Sequence, residues 1–113
     1  MATTAIPEVS VTEAQKRQTA GGPEGGALLV DVREQWEYDE VRAPGATLIP
    51  LSEFAQRHAE IPRDREALLI CHSGMRSMRA AKFLQGRGYE RVANVSGGME
   101  TWEGAGLPVE RGA

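Results

Sequence analysis

Three short apolar runs punctuate the chain: Ala27-Leu28-Leu29-Val30, Ala46-Thr47-Leu48-Ile49 and Ala67-Leu68-Leu69-Ile70. Each is unbroken and bounded by polar or turn residues. Runs of this kind suit strands covered on both faces of a parallel sheet, where neither face alternates with water. Arg91-Val92-Ala93-Asn94-Val95 is a weaker candidate, interrupted by Asn94, and Glu8-Val9 offers a short edge strand. Helical patterns fall between these runs. Ser10 with Glu13 fits a capping box and predicts a helix over 11–19. Residues 34–40 predict a second short helix, and Ser52 stands as an N-cap for 53–60, which ends before Pro62.

From Met75 to Arg87, Ser77, Ala80, Ala81 and Leu84 share one face, with Arg79 and Lys82 opposite. Gly88 fits the left-handed residue that stops this helix, with Tyr89 folding back over its last turn. Ser96-Gly97-Gly98 leads into a final helix near 99–104, and the glycine-rich segment 19–26 reads as a surface loop. Strands alternating with helices predict one α/β domain over 8–109, a mostly parallel five-stranded sheet with helices on both faces. Residues 1–7 and 110–113 are left as tails.

Composition narrows the functional classes. The 113 residues allow one core, and a formal net charge of −3 argues against general nucleic-acid binding, which needs a basic surface. No apolar stretch is long enough to span a membrane. The start of the chain, Met1 to Glu8, lacks the basic and apolar regions of a secretory signal, and a cytoplasmic location is expected. The single cysteine, Cys71, rules out an intramolecular disulfide. With two histidines, His58 and His72, it supplies no metal-ligand spacing, so neither metal nor cofactor is expected.

Cys71 follows the third apolar run and opens Cys71-His72-Ser73-Gly74-Met75-Arg76-Ser77, directly before the longest helical pattern. Six positions from Cys71 to Arg76 can wrap so that successive N–H groups point inward, a nest for an anion. Gly74 permits a backbone angle that a side chain opposes. Arg76 adds a forked cationic donor, and Ser77 can cap the helix or donate to sulfur. Such surroundings favour thiolate over thiol. Against this stands the plain alternative of a buried, inert cysteine at a strand end. His72 is expected to face solvent, and Met75 and Met78 to pack. Ligands in open α/β sheets bind beyond the carboxyl ends of the strands, which would put Asp31, Arg33 and Cys71 on one rim.

These residues together resemble a small single-domain rhodanese. The matching pieces are Asp31-Val32-Arg33-Glu34 with Glu37-Tyr38, Pro44-Gly45-Ala46 with Ile49-Pro50, the Cys71–Ser77 loop with its helix, and Gly88-Tyr89, Val92, Asn94, Gly97-Gly98, Trp102 and Gly106-Leu107-Pro108. Before Pro44 the family usually shows Gly-His-Ile, where this chain has Val41-Arg42-Ala43; Arg42 is expected on the surface.

The resemblance implies a thiosulfate sulfurtransferase in which Cys71 takes sulfur from a small anionic donor and passes it to cyanide or a thiol. The loop His72, Ser73, Gly74, Met75, Arg76 and Ser77 would bind the substrate, while Asp31, Arg33 and Glu37 brace it from behind. One alternative is a persulfide carrier serving a partner protein. Another is a cysteine phosphatase of the same fold, whose loop holds one more residue between cysteine and arginine.

Overall fold

The protein's structure, a computed structural model, describes residues 5–20 and 26–112. Along the chain run β1 (Glu8–Val9), α1 (Val11–Thr19), β2 (Leu28–Asp31), α2 (Gln35–Glu40), β3 (Val41–Arg42), β4 (Thr47–Leu48) and α3 (Phe54–Arg57). They are followed by β5 (Ala67–Ile70), α4 (Met75–Gly86), β6 (Val92–Val95), α5 (Gly98–Gly104) and β7 (Glu110–Arg111). The main sheet has five parallel strands in the order β1-β6-β5-β2-β4. This is the architecture expected from the apolar runs.

The runs read as continuous because both sheet faces are covered. Ala67 and Leu69 of β5 point to the α3 and α4 side with Val30, Phe54, Ala80, Ala81 and Leu84. Leu68 and Ile70 point to the α1 and α5 side with Val11, Ala14, Met99 and Trp102. Alternation survives only as a choice between two dry layers. On β6 the same alternation sends Ala93 and Val95 to the α5 layer and turns Asn94 toward α4.

Helix ends follow their sequence signals in part. Ser10 Oγ accepts the Glu13 N–H at 3.1 Å and starts α1. Gly88 takes φ +90°, while Tyr89 N–H returns to the Leu84 carbonyl at 3.0 Å. Ser52, in contrast, does not cap a helix over 53–60. That segment divides into a 3-10 turn at Leu51–Glu53, α3, and another 3-10 turn at His58–Glu60. The Ser52 hydroxyl instead donates to Glu34 at 3.3 Å.

The ends of the domain are tied down more than tail-like composition indicates. Ile6 is buried in the core, and the Pro7 carbonyl accepts the Asn94 N–H at 2.9 Å. Residues 1–4 lie outside the described residues. Glu110–Arg111, assigned to a tail from sequence, pairs antiparallel with Val41–Arg42. Arg42 holds that corner by donating to the carbonyls of Tyr38 (3.1 Å) and Gly112 (2.6 Å). Of the expected 19–26 loop, residues 21–25 lie outside the described residues.

Candidate active site

Cys71 sits where β5 ends, and the next residues turn sharply into the amino end of α4. Gly74 makes the turn with φ +106°, a left-handed angle that an L side chain resists. This swings the Gly74 N–H onto the Cys71 sulfur at 3.0 Å, with Ser77 Oγ at 3.3 Å. Cys71 is only 1% exposed. Burial pushes the thiol pKa up. The Ser77 hydroxyl and the N–H groups of Ser77, Gly74 and Ser73 pull it down further, and the net result lies below the ordinary thiol value. The inert-cysteine alternative does not account for amides converging on sulfur.

The loop is fastened from three sides. Below it, the α5 N–H groups of Met99 and Glu100 donate to the carbonyls of Cys71 (2.7 Å) and His72 (3.0 Å). Gly98 makes this approach possible, since a Cβ there would collide with both carbonyl oxygens. From β6, Asn94 Nδ2 donates to the Gly74 carbonyl at 3.1 Å and Asn94 Oδ1 accepts from Ser77 at 2.6 Å. From α2, Glu37 receives both terminal nitrogens of Arg76 at 2.8 and 2.9 Å. Arg76 is the main reason the Glu37 carboxyl falls to about 2; its burial opposes this, and the Glu34 N–H and Arg33 assist.

Arg76 therefore differs from the sequence expectation. Its fork is occupied by Glu37, so its charge reaches the sulfur largely compensated. Glu37 is held in turn by a buried pair: Arg33 grips Asp31 at 2.7 Å and donates to the carbonyls of Val41 (2.7 Å) and Glu37 (3.4 Å). Asp31 and Arg33 thus fix the α2–β3 corner and hold Glu37, and the Asp31 charge also acts on Arg76. His72 is 56% exposed with Nε2 3.6 Å from Glu100, outside the sulfur's hydrogen-bond set. Met78 packs, but Met75, expected to pack, is 77% exposed. Ser73 and Met75 are exposed, and Ser73 acts on the sulfur through its backbone N–H.

The family model for the rhodanese-like domain matches residues 10–105. The chain belongs to the rhodanese-like family. It is 40% identical over 82 residues to a sulfurtransferase from Allochromatium vinosum, covering 73% of this chain and 77% of that protein. It is 39% identical over 99 residues to a putative sulfur carrier protein, YrkF, of Bacillus subtilis, where it spans 88% of itself but only 52% of the relative. A rhodanese-related protein of Thermoplasma volcanium superposes with a TM-score of 0.82 at 27% identity, covering 92% of this chain and 97% of that one.

Two residues that fasten this rhodanese loop, Asn94 on β6 and Gly98 on α5, were not singled out as site residues from sequence. Asn94 read as an interruption of a strand and as one of the closing-segment positions that carry the resemblance, with no role at the sulfur; a polar residue in an otherwise apolar buried run was the available signal. Gly98 read as a helix lead-in, and its close approach to the loop backbone has no signature beyond the glycine pair itself.

Proposed function

We propose that this rhodanese moves sulfane sulfur from a donor such as thiosulfate to a thiophilic acceptor, cyanide or a thiol, through a persulfide on Cys71. The supporting observation is the amide-lined sulfur: Gly74 N–H at 3.0 Å, with a thiol pKa below its ordinary value. The thiolate attacks the outer sulfur of thiosulfate, the new S–S bond forms as the donor's S–S bond breaks, and the electron pair leaves with sulfite. The acceptor then attacks the outer persulfide sulfur and returns the thiolate, so ping-pong kinetics are expected. Loop N–H groups stay aimed at the anion throughout both half-reactions.

Cys71 and Arg76 enclose four residues, the span that resembles sulfur-transfer loops rather than the wider phosphatase loop. Cys71→Ser, with thiocyanate production from thiosulfate and cyanide as readout, is expected to lose transfer while keeping its fold. Retained turnover in that variant would overturn the mechanism.

A carrier role has its own support. Trp36 and Met75 are 66% and 77% exposed, and each precedes a member of the Glu37–Arg76 pair beside the loop. Large apolar side chains at such a rim suit a protein partner better than a hydrated anion. Faster loading from a protein persulfide than from thiosulfate, slowed by Trp36→Ala, would favour the carrier; equal rates in variant and parent would discount it.

A further inference from the structure

Ser77 carries one hydroxyl proton and faces two acceptors. Asn94 Oδ1 lies 2.6 Å away and the Cys71 sulfur 3.3 Å away, both with Ser77 0% exposed and Asn94 2% exposed. The Asn94 amide cannot be turned over to relieve this. Its Nδ2 faces two pure acceptors, Glu8 Oε1 and the Gly74 carbonyl, each at 3.1 Å, so Oδ1 must face Ser77. A buried carbonyl oxygen and a buried thiolate therefore compete for one donor.

We propose that Asn94 is a positioning residue that governs the Ser77 proton, holding it while Cys71 is a thiol or carries sulfur and yielding it to the free thiolate. The proposal rests on the persulfide reading for its loaded state. When the thiolate is free, its charge lies on the sulfur next to Ser77, and the hydroxyl turns to it. When a second sulfur is attached, the charge moves to the outer atom. The inner sulfur then becomes a weak acceptor, and the hydroxyl returns to Asn94. In the thiol state the S–H itself donates to Ser77 Oγ, which leaves the Ser77 proton on Asn94. Asn94 thus disfavours the empty thiolate against both other states, and so favours retention of bound sulfur. Glu8 on the edge strand completes the device by fixing the amide's orientation, supported by Ser96 Oγ at 2.8 Å from the same oxygen.

Asn94 is the single asparagine of the chain, so asparagine labelled with carbon-13 at its side-chain carbonyl gives one signal in the full-length protein. The charged groups around the site are Arg76 with Glu37 and Asp31, Glu8 across β6, and His72 with Glu100 at the mouth. Spectra are recorded above the carboxylate range and repeated in His72→Gln. The carbonyl signal is expected to move with the same midpoint as Cys71 alkylation, to return to its thiol-state position on loading with thiosulfate, and to stay fixed in Ser77→Ala. Asn94→Leu, which removes the competing acceptor, is expected to lower the alkylation midpoint by about one pH unit when Ser77 is present and to leave it unmoved in the Ser77→Ala background.

A signal that ignores the thiol titration, or an Asn94→Leu effect of equal size with and without Ser77, overturns the proposal. The labelled parent protein decides the matter even where Asn94→Leu fails to fold. The titration needs no sulfur donor, so it stands apart from the outcome that counts against sulfur transfer itself, an unchanged protein mass after thiosulfate.

Discussion

Replacing Glu37 by Gln removes the charge that holds Arg76 while keeping the side-chain size. The folded carboxyl is held at about 2 against an ordinary 4.5, which corresponds to at most about 3 kcal/mol between the ionised and neutral forms. The Glu37 side chain is 14% exposed but Arg76 is 35% exposed, so solvent screening reduces this to about 1–2 kcal/mol. Because the folded value lies below the unfolded one, the contribution is complete above about pH 5 and is lost as pH falls toward about 2. Urea unfolding of parent and Glu37→Gln is the assay. At about pH 7 the variant's midpoint is expected to fall by about 1 M, and the gap is expected to narrow steadily at acidic pH. Equal midpoints at neutral pH, or a gap that stays constant through the acid range, would refute the reasoning.

Two further outcomes follow from the loop. Gly98→Ala drives a Cβ into the carbonyls of Cys71 and His72 at φ +58°, and is expected to cost about 1–3 kcal/mol in thermal unfolding and to depress transfer. Gly104→Ala, later in the same helix with nothing near its Cβ, is the control and is expected to unfold at or above the parent temperature. The pH profile of Cys71 alkylation by iodoacetamide is expected to have its midpoint below the ordinary thiol value of 9.0; a midpoint at or above that value would remove the case for an activated sulfur.

What was legible in the sequence was set by period and punctuation. Four-residue apolar runs gave the strands because two covered faces erase alternation, and Gly88 gave a helix end because its backbone angle excludes most side chains. Cys71, Gly74 and Ser77 were legible as a loop because a strand, a glycine and a helix start adjoin one another in sequence. Contacts made across the fold were not. Nothing local distinguishes an Arg76 aimed at substrate from one clamped by Glu37, 39 positions away. Glu110–Arg111 reads as a polar tail because both of its residues are charged and exposed, and neither buries an apolar side chain. Ser52 mimics a cap, but the chain there follows 3-10 geometry, and the Ser52 hydroxyl goes to Glu34.

The most direct test of the sulfur chemistry is the intact mass of the protein after exposure to thiosulfate. The parent chain should gain one sulfur atom, located on Cys71 and discharged by cyanide. A parent chain of unchanged mass, or a Cys71→Ser chain that gains the same atom, would contradict the account.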